Sequence, residues 1–320
     1  MNGTTLNGKE SPMKRFMLAA ALLCGAVLAA AEPVKELKVL TIGNSFTWSL
    51  QPFFPKVAEA GGVKLKLAFA NLGGCSFERH WNNFAKSEKD PSFKPYGSGK
   101  NKKSMQEILT EDKWDIVTIQ QASPLSWKAE SYQPFADNLI AAVRKLAPTA
   151  EIVIQETWSY NAAHPALTTG KKKNWGVDQT AMYEKLNAAY HDLARKHGFR
   201  VIPTGDAVQL VRKAMGDKLV ACEPKDYAGM EKPNAPKTTD IVGNFRWGKD
   251  RKTGEEKLLM DCIHLNARGQ YLQALVWYAE LFGGDPEKIE FVPKGISADE
   301  AALFKKCAKE AVKNYPQVKR

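Results

Sequence analysis

Three residues in this chain have types and spacing suited to chemistry on an acyl group. Ser45 lies in the stretch 38–47, KVLTIGNSFT, and Asp261 and His264 lie in the later stretch Asp261-Cys-Ile-His264-Leu-Asn. A serine hydroxyl is a weak nucleophile at neutral pH and needs a base. His264 is the candidate base. Asp261, three residues before it, can orient the imidazole from the same side of a turn. The set implies attack of Ser45 on an ester carbonyl, with His264 carrying the proton. Ser45 alone would read as the N-cap of a helix, and its pairing with Asp-x-x-His gives it a second meaning.

Such a mechanism also needs donors for the oxyanion. The N–H of Ser45 qualifies, because a turn from strand to helix points backbone donors at a developing negative charge. Gly73 and Gly74, after the second predicted strand, allow close approach of backbone to a ligand. Gln120 and Gln121 end the third predicted strand and carry amide N–H₂ groups. Gln120, the first after the strand, is the preferred donor. Asn44, His80, Gln121 and Trp158 are candidates for substrate contact, Trp158 by stacking on a sugar face. His80 is also an alternative base.

The elements that must position these residues alternate regularly. Short apolar runs at 39–42, 63–70, 114–119, 151–155 and 200–203 read as strands. Helical periodicity is visible at 48–60, 77–84, 132–146, 179–196, 205–215 and 266–282. Residues 86–103 and 161–177 read as loops. Ser104-x-x-Glu107 and Ser297-x-x-Glu300 match the capping box. A βαβ alternation implies a mainly parallel five-stranded sheet with helices on both faces, and the candidate residues fall at strand C-terminal ends, where open α/β sheets bind ligands. Residues 216–260 are poor in aliphatics and read as an insertion, with a hairpin at 242–259 turning near Thr253-Gly254. A helical extension is expected at 285–320, opening with the Ser297 box.

With these residues in view, the chain resembles the SGNH (GDSL-type) hydrolases over about residues 37–282. Ile42-Gly43-Asn44-Ser45-Phe46 resembles their block I, with Asn44 where Asp is commoner. Gly73-Gly74 resembles block II, and Asp261-x-x-His264 block V. The resemblance is nearest to a branch of secreted bacterial members that begin with Gly-Asn-Ser-Phe. It implies a three-layer α/β/α, flavodoxin-like sandwich. It also implies a Ser45–His264–Asp261 triad, with Ser45, a block II glycine and a block III side chain as oxyanion donors. Block III departs from the common Gly-x-Asn-Asp, because Gln120-Gln121 stands there. The implied function is a secreted serine esterase that removes O-acetyl or similar small acyl groups from carbohydrate, without cofactor or metal. The alternatives are a carbohydrate-binding protein without turnover, motivated by the missing Asn, and an acyltransferase.

Composition agrees with a folded exported enzyme. The 320 residues are 44% hydrophobic and 25% charged, ordinary for one globular domain at 32–320. Residues 1–31 read as a signal peptide: Lys14-Arg15, thirteen apolar residues at 16–28, and small residues at 29–31. Export to the periplasm or beyond is therefore expected. No later stretch is long and apolar enough to span a bilayer. The net charge is +11, and the leader holds three basic residues and one acidic, so +9 remains. The basic residues are scattered, with clusters at 102–103 and 171–173, which argues against nucleic acid. The expected partner is a small-molecule or polysaccharide ester. Cys75, Cys222, Cys262 and Cys307 form no Cys-x-x-Cys pair, which argues against structural zinc. A Cys75–Cys262 bridge and buried free thiols are both open readings.

Overall fold

In the computed structural model, residues 36–167, 174–219, 229–236, 238–250 and 252–315 are described. The expected leader at 1–31, the Lys171–173 cluster and Cys222 lie outside them. The chain divides into two units, 1–32 and 33–320, and the described residues all belong to the second.

Apolar, β-branched runs build the central sheet. Its strands are β1 (Glu36–Gly43), β2 (Lys64–Asn71), β3 (Ile116–Ile119), β4 (Glu151–Gln155) and β5 (Arg200–Ile202). All pairs are parallel, in the order β2-β1-β3-β4-β5. Leu40 sits between Ala68 and Val117, and Val153 pairs with Thr118 and Arg200. Leu40, Val117 and Val153 are fully buried, because helices cover both faces of a parallel sheet. β2 is an edge strand, and its alternating Lys64, Lys66 and half-buried Leu65, Leu67 follow from that. The strand order reverses between β1 and β3, which leaves a crevice at their C-terminal ends.

After β1 come two short helices, α1 (Ser45–Trp48) and α2 (Phe54–Ala60), where periodicity suggested one. Pro52 cannot continue a helix, and Pro55 restarts one at its first turn. α3 (Phe77–Lys89) runs beyond the expected residue 84, into the stretch read as loop. α4 (Met105–Thr110) opens with the Ser104–Glu107 capping box. α5 (Phe135–Leu146) starts after Pro134, and α6 (Gln179–His197) stops at Gly198, whose φ of 70° suits glycine. α7 (Thr204–Met215) follows β5.

The insertion contains an antiparallel hairpin, β6 (Val242–Lys249) and β7 (Glu256–Leu265), separate from the main sheet. It is longer than expected and carries Asp261 and His264 on β7. α8 (Ala267–Phe282) starts at the Asn266 cap and is buried nearly all round. Its apolar stripe predicted one covered side. The rest is covered because α9 (Ala298–Asn314) lies over it, while α2 and α7 flank it.

One ion cluster ties this helix to the sheet. Arg200 on β5 donates to both Glu151 oxygens at 2.6 and 2.7 Å and to Glu280 Oε1 on α8 at 2.6 Å. The Glu280 side chain is 4% exposed, and Arg200 is its ion-pair partner. Removing one member of a buried pair strands the other. Arg200→Met should therefore lower unfolding stability by about 3–5 kcal/mol, read as a lower urea midpoint.

Candidate active site

Ser45 is the first residue of α1, and the Asn44 side chain fixes the turn before it. Asn44 Oδ1 accepts the Phe46 N–H at 3.1 Å, as an N-cap does. Its Nδ2 donates to the Cys75 carbonyl at 3.1 Å, which brings the Gly73-Gly74 loop beside Ser45. Gly74 has φ of 60°, a conformation that favours glycine. Both glycines are exposed, and a side chain on either would meet nothing within 4 Å. Leu72 and Cys75 spend their N–H groups inside the loop, on Gly43 O and Leu72 O. Among the described residues, no hydrogen bond claims the N–H of Ser45, Gly73 or Gly74.

His264 and Asp261 reach Ser45 from β7, which joins residues 219 positions apart. His264 Nε2 lies 2.8 Å from Ser45 Oγ, and Nδ1 lies 2.7 Å from Asp261 Oδ2. Asp261 Oδ1 accepts the N–H of Ile263 at 2.9 Å and of His264 at 3.0 Å. Burial alone would raise the Asp261 pKa, but the His264 ring and these two N–H donors bring it down to about 2. The aspartate is a firm anion, with one oxygen for the imidazole and one for the backbone.

In a regular strand, residues three apart point to opposite faces. Here the register breaks. Val242 pairs with Leu265 and Asn244 with Asp261, so four steps on β7 oppose two on β6. The bulge re-aims His264 toward the Asp261 carboxylate. Gly243, opposite, has φ of 108°, and a Cβ there would lie 3.0 Å from Asp261 O. The carbonyls freed by the bulge are taken by the segment after β4. The Asn161 N–H donates to Cys262 O and the Trp158 indole to Ile263 O, both at 2.9 Å. Phe46, next to Ser45, stacks on Trp158 at 4.2 Å and meets His264 edge-on at 5.5 Å.

The post-β4 segment is itself clamped by a buried ion pair that sequence reading did not find. Arg212 on α7 pairs with Asp240 at 3.0 Å, and both side chains are under 5% exposed. Arg212 also donates to Ser159 O and Tyr160 O. Asp240 accepts from Asn161 Nδ2 at 3.1 Å and from the Val242 N–H at 3.2 Å, and its carbonyl accepts from Asn266 Nδ2. No spacing rule links Arg212 to Asp240. Of the pair, only Asp240 lies next to the hairpin in sequence, and Arg212 lies 28 residues earlier on α7.

Five expectations are corrected. Gln120 does not face the site: it is fully buried under the Ser45 turn, with its Oε1 2.8 Å from Thr47 Oγ1. Gln155 Oε1 lies equally close to that hydroxyl. One hydroxyl proton serves one amide oxygen, and the other amide meets Thr47 with its N–H₂ end turned over. Gly43 makes room for this network, since a Cβ there would come within 2.4 Å of Thr47 Oγ1. Asn44 is buried and spends Oδ1 on the turn and Nδ2 on the Cys75 carbonyl, so it shapes the site without touching substrate. Gln121 is buried, accepting from Phe77 N–H and Ala122 N–H and donating to Ser131. Trp158 is buried against Phe46 and offers no face to a sugar. His80 is buried, with Nδ1 2.8 Å from the Tyr96 hydroxyl and Nε2 3.0 Å from Gly43 O, so it is neither base nor substrate contact. Cys75, Cys262 and Cys307 are free and buried, which settles the first two against a bridge.

The open surface beside the triad comes from the hairpin. A cavity of about 350 Å³ is lined by Asp261, Ile263, Arg246, Met260 and His164. A second, of about 540 Å³, continues past Trp247, Leu258 and Met260.

A family model, "Domain of unknown function (DUF4886)", matches residues 38–222. The chain belongs to the DUF4886 family. The crystal structure of a DUF4886 family protein from Bacteroides uniformis ATCC 8492 is similar, at 24% identity and TM-score 0.67, over 88% of this chain and 96% of that one. It shares the fold. Structures named as esterases and lipases are also among the matches. An acetyl xylan esterase has 12% identity and TM-score 0.45, over 76% of this chain and 98% of its own. A lipase/acylhydrolase from Enterococcus faecalis has 13% identity and TM-score 0.43, over 77% and 96%. Likeness at that level carries no argument about chemistry. No curated protein matches the chain.

The buried His80 gives a pH signature. Burial pushes its pKa from 6.5 down to about 4, against a Gly43 carbonyl that raises it. The unfolded chain thus binds the proton more readily, and stability rises with pH across this window. The contribution is complete above about pH 6.5 and lost as pH falls toward about 4. His80→Gln should flatten the pH dependence of the urea midpoint in that window.

Proposed function

We propose that this protein is a serine esterase acting through Ser45, His264 and Asp261. The observation that carries the reading is the continuous chain from Ser45 Oγ through both His264 nitrogens to Asp261, at 2.8 and 2.7 Å. Ser45 Oγ attacks the ester carbonyl while His264 Nε2 takes its proton. The ionised Asp261 holds the ring in the right tautomer and balances the imidazolium. The N–H groups of Ser45 and of Gly73 or Gly74 receive the oxyanion, each such donor being worth about 3 kcal/mol. His264 then protonates the leaving alcohol. Water, activated by the same imidazole, releases the acid and restores Ser45.

The substrate in this proposal is a carbohydrate bearing O-acetyl or similar small acyl groups, met outside the cytoplasm after export through the leader at 1–31. Two features support it: the shallow, polar-edged groove along β7, and the Trp247 ring that lines its far part. A flat aromatic beside polar groups suits a sugar face. Trp247 takes the role that Trp158 was expected to fill.

A second reading has its own motive. Gln120 is turned into the buried network, so the block III side-chain donor is missing from the exposed site. A site with weaker oxyanion stabilisation can bind an ester without turning it over. The test is hydrolysis of p-nitrophenyl acetate and acetate release from acetylated polysaccharide. The esterase reading expects turnover by the parent chain, and a fall of about 10⁴-fold or more in kcat for Ser45→Ala and His264→Ala. Glycan binding by a parent chain with no turnover, unchanged in Ser45→Ala, would favour the binding reading. Product formation on a sugar acceptor in place of water would identify a transferase.

Asn161 acts through the bulge and not on substrate. Asn161→Ala removes its bonds to Asp240 and Val242 and loosens the frame behind His264. We expect kcat to fall by up to about a hundredfold with KM little changed. An equal rise in KM alone would point to a substrate contact.

A further inference from the structure

A second cluster of ionisable groups lies away from the triad. Glu156 directly follows β4, His191 lies in α6 and Asp206 in the first turn of α7. One donor atom from each falls within 4.8 Å of the other two. Glu156 is fully buried, and His191 and Asp206 are half-buried.

The hydrogen bonds that reach the two carboxylates come from neutral groups. Asn187 Nδ2 donates to Glu156 Oε1 at 2.8 Å and to Asp206 Oδ1 at 3.0 Å. The Asp206 N–H donates to Glu156 Oε2 at 3.1 Å, and the Tyr183 hydroxyl donates to Asp206. These bonds fix both carboxylates and bring no positive charge. Burial raises both pKa values, and the Asp206 charge adds to the rise at Glu156. The third member is unsatisfied: His191 Nε2 is buried and has no hydrogen-bond partner among the described residues. The Tyr315 ring lies 4.6 Å from the imidazole, tilted against it. A cavity of about 250 Å³, lined by Tyr183, Asp206, Gln209 and Lys213, reaches Asp206 from outside. Lys213 therefore borders the approach.

We propose that Glu156, Asp206 and His191 form a binding site for a divalent first-row cation such as Zn²⁺. Two carboxylate oxygens and an imidazole nitrogen are a donor set that such cations accept, each at about 2.0–2.2 Å. Asn187 and the Asp206 N–H put one hydrogen bond on each Glu156 oxygen, while Tyr183 and Asn187 both donate to Asp206 Oδ1, so the Glu156 oxygens and Asp206 Oδ2 have lone pairs for the metal. The ion's two charges neutralise the two acids, which removes the cost of holding like charges in an apolar setting. The neighbours already present serve as the outer shell: Asn187 and Tyr183 orient the carboxylates. The cation would join the exit of β4 to α6 and α7 and is separate from the triad.

The test titrates the full chain, stripped with EDTA, with Zn²⁺ by calorimetry, with metal counted by elemental analysis after dialysis. One retained equivalent and a raised unfolding temperature are expected. Asp206→Asn and His191→Ala, each checked for folding by circular dichroism, should weaken binding by at least about tenfold. His264→Ala should bind like the parent, which excludes the triad imidazole as the ligand. The Co²⁺ derivative should lack a thiolate charge-transfer band, which excludes the cysteines. The proposal is overturned if the folded parent chain shows no saturable binding, if both folded variants bind like the parent, or if binding is lost in His264→Ala.

Discussion

The buried pair of Arg212 and Asp240 is the constraint on which the rest of the site depends. Two opposite charges under 5% exposed cannot drift apart without leaving an uncompensated ion behind. Each also holds backbone: Arg212 the carbonyls of Ser159 and Tyr160, Asp240 the N–H of Val242. The pair therefore fixes three separate chain segments against one another. One is the exit of β4, one is α7, and one is the entry to the hairpin. His264 is aimed by the third segment and braced by the first. The desolvation cost of the pair is offset by the hydrogen bonds it collects, since both carboxylate oxygens of Asp240 and its carbonyl have partners.

The sheet supplies a different kind of order. The connections leave β1 and β3 in opposite directions at the reversal of strand order, and Ser45 stands where the crevice opens. Gly43, Thr47, Gln120 and Gln155 form the floor. The residues there are polar and buried, yet their work is to hold α1 in place. Three adjacent roles are thus split among adjacent positions: Asn44 caps, Ser45 is exposed to the site, and Phe46 packs under the imidazole. Block I is short because each of its residues answers one steric or hydrogen-bonding need.

The sheet and the meeting of Ser45, His264 and Asp261 were legible in the sequence because each rests on local pattern. β-branched runs fix strands whatever surrounds them, and Ser45 with Asp261-x-x-His264 is chemically restrictive. The side chains around the site were not legible, for a common reason. Asn44, His80, Gln120, Gln121 and Trp158 are of types that bind ligands in the open and satisfy backbone when buried. Sequence gives the type, and burial decides the use. The bulge in β7 was also invisible, since Asp-x-x-His fits a turn as well as an interrupted strand. Arg212 and Asp240, like Glu156, His191 and Asp206, meet across packed elements, and no periodicity connects them.

The free thiols have a consequence for anyone who wishes to watch this protein move. Burial pushes Cys75 up to about 12 and Cys262 and Cys307 up to about 11, so in the closed fold almost none of their sulfur is thiolate. An alkylating reagent at neutral pH finds them when the surrounding structure opens. Cys75 stands on the glycine loop, Cys262 in the bulge behind the imidazole and Cys307 on the last helix. Among the described residues these three thiols are reporters in three parts of the fold, and the order in which they are labelled would give the order in which those parts come undone.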